Sequence, residues 1–204
     1  MSGPRMVAAE LLSGRALYRE VVLAKLLHAR ESVSIATANV KDRFIEQEGG
    51  KFRSITEALA GLAARGVRLR LLHAELPSRP FRKSFDKQAL LVRGGLELKI
   101  CPRVHFKAVI VDGAWVYLGS ANLTGAGLGA KGDDKRNFEL GFVTEDFDVI
   151  DRTSALFEAV WSGAECATCK LFDICPDPIG EKAPKPHRSR GKKPLVQLGK
   201  SRRL

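Results

Sequence analysis

The chain has 204 residues, 45% of them apolar, which is enough to fill the core of one α/β domain with an appendage. No run approaches the roughly 18 apolar residues that span a bilayer, which excludes an integral helical membrane protein. The formal net charge is +11, but nine Lys or Arg against Glu181 put +8 of it into residues 181–204, so the body is only mildly basic.

Residues 1–15 carry Glu10 within their apolar part and lack a signal-peptide pattern, so a cytoplasmic location is expected. Ala16 to His28 places Leu17, Val21, Leu23, Ala24 and Leu27 at helical spacing. Ser32 to Val40 predicts a strand with Val33, Ile35 and Thr37 on one face. Lys41 to Lys51 is polar, ends in Gly49-Gly50 and reads as a loop of the kind that rims a site. A second helix is predicted from Ser54 to Arg65, stopped by Gly66. Val67 to His73 reads as a strand, Leu76 to Phe81 with two prolines as a connection, Lys83 to Val92 as a short helix, and Leu96 to Ile100 as a strand. Phe138 to Val143 returns as a strand, and Phe147 to Trp161 closes the domain as a helix.

Between them lies His105 to Asp112, a buried strand without helical period. Side chains two apart on a strand share a face, so His105 and Lys107 are expected side by side. Asp112-Gly113 is a strong hairpin signal, with Asp112 as a structural turn residue. The partner strand, Ala114 to Leu118, delivers Gly119-Ser120-Ala121-Asn122 to the same end of the sheet. The alternative for these residues is a core strand with one satisfied histidine and a solvated lysine. Strands alternating with helices, plus a hairpin, predict an α/β fold whose mixed β-sheet is flanked by helices on both faces.

The pattern H-x-K-x-x-x-x-D, then G-S-x-N, then Asn137-Phe138-Glu139 as N-x-E, resembles the signature of the phospholipase D superfamily. It covers about a fifth of the chain. The resemblance implies a phospholipase D-like fold and a phosphodiesterase that needs no catalytic metal. His105 would be the nucleophile, forming a phosphohistidine. Lys107 and Asn122 would hold phosphoryl oxygens, Ser120 would add a hydroxyl donor, and Glu139 would orient the imidazole. An in-line displacement needs a nucleophile and an acid on opposite sides of phosphorus, and one imidazole cannot be both. A chain with a single such motif is therefore expected to act as a homodimer with a composite site. The remaining histidines, His28, His73 and His187, lack a lysine in register and read as structural.

Three of the four cysteines form C-x-x-C-x-x-x-x-x-C-P: Cys166, Cys169 and Cys175. Such crowding without a signal peptide points to metal, although a reduced or disulfide-bonded segment remains the alternative. The spacing resembles the [4Fe–4S] segment of some DNA-processing nucleases. Zinc suits the same ligands, with Cys101 as the available fourth, and either metal would be structural. The expected organisation is a catalytic domain at 1–162, a Cys-rich segment at 163–180 and a disordered basic tail at 181–204. The tail is either a phosphate-seeking arm or a solubilising terminus. Together with the cysteine segment it favours nucleic acid as substrate over phospholipid, the rival being a phospholipase or transphosphatidylase. A third reading is a catalytically inactive nucleic-acid-binding protein.

Overall fold

A computed structural model describes residues 3–42, 44–46, 52–128, 130 and 133–184; the basic tail from 185 onward lies outside them. The strands are β1 (Glu10–Ser13), β2 (Ser32–Thr37), β3 (Phe44–Glu46), β4 (Phe52–Ser54), β5 (Arg68–His73), β6 (Glu97–Ile100), β7 (Lys107–Val111), β8 (Trp115–Gly119) and β9 (Leu140–Thr144). Helix α1 opens at Arg15–Leu17 and continues through a wider turn, Tyr18–Lys25, and a tight one, Leu26–His28. Helices α2 (Ile55–Ala64), α3 (Arg79–Asp86) and α4 (Phe147–Trp161) follow.

Seven strands form one sheet in the order β1-β9-β8-β7-β2-β5-β6, and β3 pairs with β4 in a separate hairpin. β2, β5 and β6 run parallel, while β1, β9, β8, β7 and β2 are successively antiparallel. The sheet is thus mixed, as the pattern predicts. β7 is buried at all five positions, which is why its sequence shows no alternation. One face packs Val33, Ile35, Leu69, Leu71, Val109 and Tyr117 against apolar residues of α1 and α2. The other sets Ala36, Leu72, Ala108, Ile110 and Val116 against Ile150, Phe157 and Trp161 of α4. The Arg70 guanidinium lies 5.1 Å from the Phe157 ring and 5.3 Å from that of Trp161 and pairs with Glu158, fastening α4 to the sheet.

Local chemistry explains the boundaries. Ser54 and Glu57 form a reciprocal capping box at the start of α2. α3 begins at Arg79, ahead of the predicted Lys83, because Ser78 caps it and Pro80 sits in its first turn, where a missing N–H is harmless. β1 was not predicted. It is a four-residue edge strand with only Leu12 buried, too short for a period to register.

The Asp112 carboxylate accepts N–H bonds from Arg30 at 3.0 Å, Glu31 at 2.8 Å and Ser32 at 2.9 Å, closing the entry to β2 from the far end of β7. Its own backbone has φ 53 and that of Gly113 φ 62. Burial alone would raise the Asp112 pKa, but the three donors outweigh it and hold the carboxyl below the ordinary value of 3.8. Asp112→Ala is expected to lower unfolding stability by about 2–4 kcal/mol, measured by urea denaturation. Asp112→Asn should cost less, because asparagine tolerates positive φ and keeps one acceptor. A depressed carboxyl stabilises the fold above its unfolded pKa, so this contribution is present at neutral pH and lost as the pH falls below about 3.8.

Candidate active site

Backbone register gathers the motif residues. Lys107, the first residue of β7, pairs with Gly119, the last of β8, and Gly119 pairs with Gly141 of β9. His105 lies two residues before that rung, and Ser120 and Asn122 just beyond it. Glu139 precedes β9, and the Ser120 N–H bonds the Leu140 carbonyl at 2.9 Å. All five predicted residues therefore meet at one end of the β7–β8–β9 ladder.

Lys107 is 8% exposed, and its ammonium donates to the His105 carbonyl at 2.6 Å. No carboxylate of the described residues pairs with it, so its charge is available to an anion. His105 is exposed and sits before the strand rather than in it, because the chain is still leaving the turn in which the Val104 N–H bonds the Cys101 carbonyl at 2.9 Å. Its ring makes no hydrogen bond to a described residue.

Glu139 differs from expectation. Its carboxylate accepts the Ser120 hydroxyl and, at 3.1 Å, the Asn137 side-chain amide, not the His105 imidazole. The Ser120 oxygen in turn accepts the Leu140 N–H at 3.1 Å. Ser120 thus spends its donor on Glu139 within a single chain, and the pair forms one wall of a cavity of about 470 Å³ with Asn137, Phe138 and Leu140.

Asn122 is oriented by its oxygen. Oδ1 accepts the Ala38 N–H at 3.0 Å, the Asn39 N–H at 3.3 Å and, at 3.1 Å, the Thr37 hydroxyl, whose one proton it shares with the Asn39 carbonyl at 3.0 Å. With Oδ1 saturated, Nδ2 is left as the donor presented to a ligand. Thr37, buried at the end of β2, also accepts the Leu123 N–H at 3.0 Å. The sequence marked Thr37 only as a core-facing strand residue; a hydroxyl at the last buried position of a strand was the available signal. Thr37→Val keeps the volume and removes the clamp. It is expected to lower kcat on the phosphodiester substrate roughly 10–100-fold with little change in KM, and Thr37→Ser should restore most of it.

Asn122 also lines a groove of about 560 Å³ with Asn39, Lys41, Phe44, Phe52 and Asn137. Phe44 and Phe52 are 68% and 64% exposed on the antiparallel pair β3–β4; β3 falls inside the loop predicted over 41–51, of which residues 43 and 47–51 lie outside the described residues. Ile45, between them in the pleat, is fully buried and anchors the hairpin.

His73 is wholly buried at the end of β5, and among the described residues neither ring nitrogen has a partner in good hydrogen-bond geometry. Burial pushes its pKa down, so it is held neutral. Cys101, Cys166 and Cys169 line a single cavity of about 330 Å³, and all four cysteines are free. Among the described residues no group of three or more His, Cys, Asp or Glu is arranged to hold a metal ion, and no helix is long and apolar enough to cross a membrane.

The family profile described as cardiolipin synthase, PLD-like domain, matches residues 22–161. No curated protein matches the sequence significantly. Similar solved structures include a phospholipase D family member, Nuc, from Salmonella typhimurium, with a TM-score of 0.53 and 18% identity over 85% of this chain and 100% of that one. NucT from Helicobacter pylori has a TM-score of 0.51 and 18% identity over 76% and 96% of the two chains. Polyphosphate kinase from Porphyromonas gingivalis reaches 0.50 at 13% identity, over 89% of this chain and 27% of that one. These structures share the fold, and the profile runs from within α1 to the end of α4, covering every strand of the sheet but β1. The chain belongs to the phospholipase D superfamily, as a PLD-like domain.

Proposed function

We propose that the protein hydrolyses phosphodiester bonds of nucleic acid without a catalytic metal, in a site completed by a second copy of the chain. The observation that carries nucleic acid is the pair Phe44 and Phe52. Two exposed rings on one face of a hairpin line the groove that holds Asn122, and every base offers a π-face to such rings. The +8 of residues 181–204 adds attraction for a polyanion.

The chemistry follows from the residue types. An imidazole nitrogen of His105 attacks phosphorus, and the P–N bond forms as the P–O bond to the leaving group breaks. His105 of the partner subunit, protonated, gives its proton to the departing oxygen. That ring, now neutral, takes a proton from water, which attacks phosphorus and releases His105. The net change is diester plus water to monoester plus alcohol. Lys107 and the Nδ2 of Asn122 hold the non-bridging oxygens, where charge builds up. Glu139, tied to Ser120 and Asn137, supplies a fixed negative charge at the mouth. A second copy also has an apolar edge on which to rest, since Phe138 and Leu140 are 107% and 54% exposed around Ser120 and Glu139.

Phospholipid offers the same diester, and the exposed rings could enter a lipid surface instead. Plasmid and oligonucleotide cleavage, compared with choline release from phosphatidylcholine vesicles, all in EDTA, separates the two. Nicking that is absent from His105→Ala supports the nuclease. Choline release without nicking reverses the order, and DNA binding without turnover on any diester leaves a binding protein.

Phe44→Ala and Phe52→Ala are each expected to weaken binding of a single-stranded oligonucleotide by about 1–3 kcal/mol, or roughly 5- to 150-fold, in fluorescence anisotropy on a His105→Ala background. In the active chain both should leave hydrolysis of a small aryl phosphodiester unchanged, because the rings stand in the groove and not at the β7–β8–β9 rung.

A further inference from the structure

We propose that Cys101, Cys166, Cys169 and Cys175 form a thiolate metal centre that fastens the segment after α4 to the turn from which His105 emerges. The site rests on its own geometry; only its consequence for His105 leans on the phosphodiesterase reading.

The segment after α4 folds back on itself. Gly163, at φ 76, lies so close under Ile179 that a Cβ would overlap it, and the Ala183 N–H bonds the Ala167 carbonyl at 2.7 Å. The Cys166 N–H bonds the Gly163 carbonyl at 2.9 Å and the Cys169 N–H that of Cys166 at 3.0 Å, a tight turn that presents the two C-x-x-C thiols together. Two bonds moor this unit to β6. The Lys99 ammonium donates to the Trp161 carbonyl at 2.7 Å, and the Asp177 carboxylate accepts the Ile100 N–H at 3.1 Å. The second brings Cys175, two residues before Asp177, to the same end of β6 as Cys101, the residue after Ile100. Cys101, Cys166 and Cys169 then share a cavity whose other walls are largely apolar, including Val104, Phe106 and Val160. The one upstream cysteine is thus brought to the three downstream ones.

Thiols gathered against apolar walls are the ligand set of a soft or borderline cation, which would draw the sulfurs inward from positions where, among the described residues, no three surround one point. Zn²⁺ and an iron–sulfur cluster share this ligand chemistry. The centre would not touch the diester. It would fix the Cys101–Val104 turn, so its effect on the reaction would be to position His105.

The test uses the full-length chain, purified anaerobically from cells grown with zinc and iron, with a parallel Zn²⁺ titration of the reduced metal-free protein. Element analysis is expected to find about one zinc, or about four irons with as much acid-labile sulfide and absorbance near 400 nm, per chain. All four thiols should be shielded from a thiol reagent until chelator or denaturant is added. Cys101→Ser and Cys175→Ser should each lower metal retention about tenfold or more, while His105→Ala retains metal in full. A chain with four reactive thiols that binds no Zn²⁺, or one with disulfides and no metal, overturns the proposal. So does a Cys101→Ser protein that keeps its metal. If Cys101→Ser does not fold, the stoichiometry and thiol shielding of the unaltered chain decide. Metal content does not depend on the substrate, so failure of the nuclease reading would leave this result standing, and the reverse also holds.

Discussion

His105→Ala is expected to lower diester hydrolysis by roughly 10⁴-fold or more, because it removes the nucleophile from one half of the site and the acid from the other. The fold should be untouched, since the ring is exposed and bonds to no described residue. The dependence on subunit composition is more telling than the loss. If each reaction needs one ring from each of two chains, randomly mixed subunits have activity in proportion to the square of the unaltered fraction. An equal mixture with His105→Ala would then keep about one quarter of full activity, against about one half for a site complete in one chain. Acid-resistant phosphate on Ser120, or a linear dilution curve, would remove the composite mechanism. Base-stable, acid-labile phosphate on His105 in rapidly quenched reactions is the expected covalent signature.

The end of the sheet that carries these residues was legible because strand parity and hairpin chemistry act locally. Asp112-Gly113 sets the β7–β8 turn, and the turn sets the rung that joins Lys107 to Gly119. What connects segments distant in sequence was harder to read. Thr37 reaches Asn122 across 85 residues, and a threonine in a strand looks like any β-branched core residue until its partner is known. The partner of Glu139 was assigned by chemical role to His105, whereas the register of β8 and β9 sets it beside Ser120. β1 was missed for a related reason. An edge strand with one buried side chain is specified by β9, with which it pairs, more than by its own four residues.

Gly141→Ala and Gly119→Ala are each expected to destabilise the protein by about 3 kcal/mol, at the upper end of the overpacking range, lowering Tm by roughly 6–12 °C. Both glycines have ordinary strand backbone; what they supply is room. They face each other across β8 and β9, and the Tyr117 ring lies over the pair, 1% exposed. A Cβ on Gly119 would come within 2.7 Å of the Gly141 Cα and the Leu140 carbonyl oxygen, and one on Gly141 within 2.8 Å of the Leu118 carbonyl oxygen, besides striking the tyrosine. Backbone on one side and a buried aromatic on the other leave little room to relax. The ring is held in turn, because its phenol oxygen accepts the Ala121 N–H at 3.3 Å, and burial together with the charge of Glu139 pushes its pKa up to about 12. Any shift of Tyr117 therefore moves Ala121, between Ser120 and Asn122, so both alanine variants should lose activity at temperatures where they remain folded. Gly61→Ala is the matched control. Its Cβ would meet no atom within 4 Å on α2, and it should be neutral or stabilising by up to about 1 kcal/mol. A Gly141→Ala protein as stable as the Gly61→Ala one would mean that the tyrosine does not lie across the glycine pair, and the positioning of Ser120 and Asn122 through Ala121 would lose its support.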